Sequence, residues 1–145
     1  MEKTIRLATV EDIPAIFEIR TGVRENHLSY QQLADMGIAP QTIQQALAEA
    51  PCAWVAEVGG VPVGFSMADA EDGCVFAAFV LPGFEGHGLG RALMEKAEVF
   101  LFRDHEVLWL ETAEASRASG FYRRLGWQVV KRLPEGDVRF EKRRV

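Results

Sequence analysis

The run "CVFAAFVLPGFEGHGLGRALMEKAEVF", residues 74 to 100, constrains this chain more than any other stretch. A nearly unbroken apolar segment meets four glycines in eight positions, Gly83, Gly86, Gly88 and Gly90. Leu89, Leu93, Ala97 and Phe100 then recur at helical spacing. This reads as strand, turn and helix, the helix running to about Arg103. Inside regular structure glycine costs roughly 1 kcal/mol relative to alanine. A turn needs one or two, so four point to a backbone that something approaches closely. The apolar segment "EVLWLET" follows the helix. The two strands flanking one helix are therefore expected to be parallel neighbours joined by a right-handed crossover.

The rest of the chain supplies antiparallel partners. "TIRLAT" alternates as a half-buried strand does, and Thr9 with Asp12 marks the start of a helix over residues 10 to 21. "GVRENHLSYQQLADMG" reads as a loop and a short helix, and Pro40 opens another helix that Pro51 ends. "CAWVAEV" and "VPVGFSMADA" flank Gly59-Gly60 as a hairpin, and "EDG" at 71 to 73 is a second turn. Residues 114 to 125 read as helix with Gly126 at its C-terminus. "WQVVKRL" and "VRFEKRR" close the chain as two strands around a turn at Pro134 to Gly136. The principal elements run β-α-α-β-β-β-α-β-α-β-β. That order predicts an α/β fold, one domain over residues 1–145, with a mixed sheet and helices on both faces.

Composition narrows the function. A chain of 145 residues with 48% apolar residues can bury a core without staples. The net charge of −5 argues against nucleic-acid binding, although Arg117, Arg123 and Arg124 make a local basic patch. Cys52 and Cys74 sit in apolar stretches and read as buried, reduced thiols. With three scattered histidines they imply no metal site. The N-terminus lacks an apolar leader, and no apolar run is long enough for a membrane span. A cytoplasmic location without a membrane partner is expected.

Strand, glycine turn and helix make an anion site, because a helix start carries unpaired N–H groups and partial positive charge. A phosphate loop of the nucleotide-triphosphatase kind is excluded, since Gly88 is followed by Leu89 rather than Lys-Ser/Thr. A dinucleotide loop fits Gly86 and Gly88, but Arg91 takes the third glycine position. Glu111 imitates the ribose-binding acid of such a site. The unit nevertheless follows an antiparallel hairpin in a short chain.

The segment resembles the acyl-CoA loop of the GNAT superfamily of N-acetyltransferases, Gln/Arg-x-x-Gly-x-Gly/Ala. "EGHGLGR" supplies Gly88 and Gly90 in register, "FVLP" matches the preceding strand end, and Phe84 stands where an aromatic is common. "FYRRLGW" at 121 to 127 resembles the second hallmark of that family, and Val63-Gly64 also fits. The resemblance covers nearly the whole chain. It implies a mostly antiparallel sheet of six to seven strands whose central parallel pair splays apart.

The function so implied is acetyl transfer from acetyl-CoA, as co-substrate and without a metal, to a primary amine of a small molecule or peptide. Ala78, Phe79 and Val80 at the strand end would contact the donor, with backbone N–H groups near Phe79 and Val80 polarising the carbonyl. Gly86, His87, Gly88, Leu89, Gly90 and Arg91 would hold the pyrophosphate, His87 through a ring N–H. Tyr122 would protonate the leaving thiolate, a phenol near 10 against a thiol near 8.5 being almost balanced. Glu111 and Glu25 are candidate bases, Glu25 because the family builds its acceptor site from this region. Two positions depart from the family pattern. Glu85 replaces Gln or Arg, and Ala115 replaces an asparagine that contacts the pantetheine, a role left to Ser116 or Ser119. An idle acyl-CoA-binding or regulatory module on the same fold is the competing reading. The acidic chain points to cationic acceptors such as a polyamine, an aminoglycoside or a peptide N-terminus. A homodimer formed at an edge strand "VRFEKRR" is a further expectation.

Overall fold

The computed structural model describes residues 2–23 and 28–145. The chain forms β1 (Lys3–Leu7), α1 (Ile13–Gly22), α2 (Tyr30–Asp35), α3 (Pro40–Glu49), β2 (Ala53–Val58), β3 (Val61–Asp69) and β4 (Cys74–Val80). Then come α4 (Leu89–Leu101), β5 (Val107–Ala113), α5 (Arg117–Arg124), β6 (Gln128–Arg132) and β7 (Asp137–Arg143). All seven strands join one sheet in the order β1-β2-β3-β4-β5-β7-β6. Every neighbouring pair is antiparallel except β4 and β5. The predicted α/β class, the parallel pair and the helices on both faces are all present.

Local chemistry accounts for the element ends. Residues 10–12 form a 3-10 turn ahead of α1, and the Thr9 amide donates to Asp12 Oδ2 at 2.8 Å. Arg6 grips the same carboxylate at 2.8 Å and holds its pKa below the usual range. Gly59 and Gly60 both take positive φ, 59° and 81°, as a tight hairpin turn with right-handed strand twist requires. Gly126, at φ 95°, ends α5.

Strand alternation divides the core in two. Val63, Ala56 and Trp54 face α4, where they pack with Leu93, Met94 and Ala97. Phe65 and Met67 face the other way, against Ile16, Phe17 and Ile19 of α1, Leu33 of α2 and Ile43 of α3. The fully buried Ser66 hydroxyl donates to the Leu93 carbonyl at 3.0 Å, so its burial costs no unpaired polar group. Cys52 and Cys74 are buried free thiols, and burial pushes the Cys74 thiol up to about 12.

One expectation is overturned. The last strand is not an edge. β7 lies between β5 and β6, pairing with both, and β6 takes the margin of the sheet. The apolar residues Val138 and Phe140 are fully buried, which draws β7 inward. β6 buries little, with a mostly exposed burial pattern.

Candidate active site: a glycine-rich helix start beside a splayed strand pair

β4 and β5 pair at a single register position, Cys74 with Trp109. The Trp109 amide donates to the Gly73 carbonyl at 3.1 Å. β4 stays on β3 as far as Val80, while β5 stays on β7 along its whole length. A wedge therefore opens between the C-terminal halves of β4 and β5. The cause lies in β4 itself. Met67 pairs with Ala77 and Ala68 with Val75, so Phe76 is an extra residue, a bulge that bends the strand. The Leu81 amide bonds the Val63 carbonyl at 2.8 Å. Antiparallel alternation then turns the Phe79 amide toward β3 and leaves the amides of Ala78 and Val80 facing the wedge.

At the top of β4 the chain enters the glycine turn. Gly83, Gly86 and Gly88 hold φ of 93°, 79° and 81°, and nothing stands within 4 Å of where a Cβ would be on any of them. Gly90 differs. A Cβ there would meet the Phe121 ring at 3.3 Å. Three glycines thus shape an open loop, and the fourth lets α5 pack on α4. Gly88 is the N-cap of α4 and offers no side chain to it. Among the described residues the amides of Leu89, Gly90 and Arg91 have no protein acceptor. These donors, with the helix dipole behind them, suit a phosphate.

The loop's own charges are engaged. Glu85, the departure from the family pattern, pairs with Arg117 Nη1 at 2.9 Å, which ties the loop to the start of α5. Arg91 pairs with Glu95 one turn on, at 3.6 Å. The His87 carbonyl accepts from Lys3 Nζ at 3.3 Å. The Leu89 side chain is buried in the core, so only its backbone serves the loop.

α5 brings the second hallmark alongside. Ser116 caps it, and Ser119 is buried in its first turn. The Tyr122 ring is enclosed by Trp127 at 6.4 Å and Phe140 at 5.9 Å, centroid to centroid. Burial pushes its phenol up to about 12, so the near balance expected from ordinary values is lost. Four hydrogen bonds fix this region. Glu98 of α4 accepts from Trp127 Nε1 at 3.1 Å and from Lys142 Nζ at 2.7 Å. Lys142 also donates to the Leu125 carbonyl at 2.8 Å. The Trp127 amide donates to the Tyr122 carbonyl at 3.0 Å. A buried glutamate three residues before the end of a helix, with a lysine in the last strand, carries no local signature that reading the sequence would isolate.

Glu111 lies two residues beyond the last β4–β5 pairing. It stands on the face of β5 opposite Leu110, away from α4, and its carboxylate is 3.9 Å from Arg139 Nη1. Glu25 lies outside the described residues. Arg20, which sequence reading did not single out, has its guanidinium 4.2 Å above the Phe79 ring centre.

A family model described as "Acetyltransferase (GNAT) domain" matches residues 49–129, which take in both the glycine turn and Tyr122. The chain belongs to the GNAT acetyltransferase family. An uncharacterized N-acetyltransferase of Methanocaldococcus jannaschii is 36% identical over 102 residues. That match covers 62% of this chain and 44% of the relative, less than half its length. Among solved structures, the PaiA N-acetyltransferase of Thermoplasma acidophilum in complex with coenzyme A superposes with a TM-score of 0.80 at 15% identity, covering 99% of this chain and 100% of that one. A putative acetyltransferase of Salmonella typhimurium with its cofactor acetyl-CoA gives 0.72 at 22% identity, covering 99% and 94%. At such identities these structures establish the shared fold.

Proposed function

We propose that the chain transfers an acetyl group from acetyl-CoA to a primary amine by direct attack within a ternary complex. The observation that carries this reading is the wedge. Two strands part beside an uncapped helix start, and each surface presents unpaired backbone amides. A long thioester with a pyrophosphate at one end suits that pairing of features.

Acetyl-CoA supplies the activated acyl group. The residues of this chain bind and orient it. The amides at the start of α4 take the pyrophosphate, and the open faces of Gly86 and Gly88 let it approach the backbone. The amides of Ala78 and Val80 stand where the acyl oxygen gains negative charge as the amine attacks. One such donor is typically worth about 3 kcal/mol. The amine nitrogen bonds to the carbonyl carbon, the carbon–sulfur bond breaks, and the sulfur leaves with the electron pair.

Tyr122 remains neutral throughout. With its phenol near 12 against a thiol near 8.5, full proton transfer to sulfur is uphill by roughly 5 kcal/mol. Its part is a hydrogen bond to the departing thiolate, which then takes its proton from water. Glu111, part-exposed beside Arg139, accepts the amine proton through solvent. The Glu85–Arg117 pair neutralises the carboxylate that would otherwise repel the pyrophosphate.

Thiol release from acetyl-CoA, followed with a panel of primary amines, tests the reading. Amine-dependent release that saturates in both substrates is expected. Tight acetyl-CoA binding with no release for any amine would leave the chain an idle acyl-CoA binder.

A further inference from the structure

The sheet face opposite α4 encloses an apolar cavity of about 150 Å³. Its floor is Phe65, Met67 and Phe79 of β3 and β4, and its walls include Phe17 and Leu33. Two large apolar side chains at its border, Met36 and Phe76, are 63% and 51% exposed. Exposed apolar groups around an apolar hollow are a costly arrangement unless something covers them. A dry cavity of this size, about 150 Å³, holds a benzene ring. Among the described residues Arg20 is the one charged side chain lining it, and its guanidinium sits over the Phe79 ring. Among the described residues the lining offers no acidic group to a second positive charge.

Phe79 connects this cavity to the wedge. Its ring forms part of the floor, while its neighbours Ala78 and Val80 turn their amides between β4 and β5. A group seated in the cavity and an acyl oxygen on those amides would stand on adjacent residues of one strand.

From this we infer that the cavity seats the apolar body of the acceptor, so that the preferred substrate is a primary amine carrying an aromatic or branched apolar group of about six to eight carbons. The inference rests on the transferase reading for the fate of the amine. The occupant bonds to the acetyl carbon through nitrogen, and coenzyme A leaves as its thiol. It replaces the expectation, drawn from net charge, of a polycationic acceptor. Overall charge steers diffusion, whereas the cavity lining sets what is held.

The test compares 2-phenylethylamine, ethylamine and 1,4-diaminobutane as acceptors with acetyl-CoA, alongside calorimetric titration of the chain with 2-phenylethylamine alone. Ala77→Leu, which adds bulk to the cavity wall, is run in parallel, with acetyl-CoA binding as its folding check. The expected result is a kcat/KM about 100-fold higher for 2-phenylethylamine than for ethylamine, with 1,4-diaminobutane no better than ethylamine. Ala77→Leu should compress that ratio at least tenfold. Equal turnover of all three amines without saturable binding overturns the inference and leaves the transferase reading standing. A preference for hexanoyl-CoA over acetyl-CoA with ethylamine, and none for 2-phenylethylamine, also overturns it by giving the cavity to the acyl chain. Binding of 2-phenylethylamine that Ala77→Leu abolishes, with no amine turned over, upholds the cavity's specificity and removes the transferase reading instead.

Discussion

The two sides of the wedge are made of different material. On the donor side the groups that matter are backbone: the amides of Ala78 and Val80, the glycine turn, and the bare start of α4. On the opposite side they are side chains gathered from α1, α2, α3, β3 and β4 around one cavity. Backbone geometry is dictated locally, by where glycines fall and by one bulge residue. A cavity is dictated by how distant elements pack. The first kind of site therefore tolerates change in most side chains and fails when a glycine gains a Cβ. The second keeps its shape through many substitutions and changes its preference when a lining residue grows.

The largest effect should come from the support that underlies the donor side. Glu98→Ala removes the acceptor of Trp127 Nε1 and the counter-charge of the part-buried Lys142 ammonium, which keeps only the Leu125 carbonyl. Breaking such a pair costs about 3 kcal/mol. Differential scanning calorimetry should record a fall of roughly 10 °C, with Tyr122 loosened as its neighbours lose their anchor.

Next comes Gly88→Val. At φ 81° a β-branched residue is strained by roughly 2 kcal/mol, and its side chain enters the space left open for phosphate. Acetyl-CoA affinity by titration calorimetry should drop about 30-fold, while the cavity floored by Phe79 still binds apolar amines. Loss of both would mean that the two sides are not independent.

Tyr122→Phe is expected to lower kcat roughly tenfold through a lost hydrogen bond to the thiolate, with acetyl-CoA affinity unchanged. It also has a pH signature. The folded phenol is raised above its unfolded value of 10, so its contribution is whole below pH 10 and is lost as pH climbs toward 12. Across that window unfolding free energy should fall by about 1.4 kcal/mol per pH unit from this group. Denaturant titrations of Tyr122→Phe should lack that share. Identical alkaline slopes in the two proteins would remove the enclosed phenol from the account.

The smallest effect should be Glu85→Gln. An exposed ion pair is worth about 0.5 kcal/mol, and Arg117 already answers the carboxylate. Acetyl-CoA affinity should change less than about threefold. A tenfold gain would show that Glu85 repels the pyrophosphate in spite of its partner.

The sequence carried the donor side openly. Four glycines between an apolar strand and an amphipathic helix have few physical explanations, and the crossover rule by itself makes β4 and β5 parallel. It blurred the purpose of Gly90, because packing against Phe121 is a contact 31 residues away that spacing does not reveal. The place of β7 was misread for a related reason. Chain order suggested an edge, but the buried Val138 and Phe140 pulled the last strand between β5 and β6. Phe76 was hidden because a bulge looks like any other residue of an apolar run until its partners are known. The cavity had no signature at all. Phe17, Leu33, Phe65 and Phe79 are ordinary core residues when read one at a time. Net charge pointed to cationic acceptors and away from the apolar lining.

The most direct test of the central claim is the melting temperature of the purified chain with acetyl-CoA, CoA, NAD and ATP in parallel. A ligand at a hundred times its Kd adds about 2.7 kcal/mol and several degrees. The account predicts that shift with acetyl-CoA and CoA and none with NAD or ATP. A shift with NAD instead, or no shift with either acyl carrier, would contradict the assignment of the wedge and its glycine turn to acetyl-CoA.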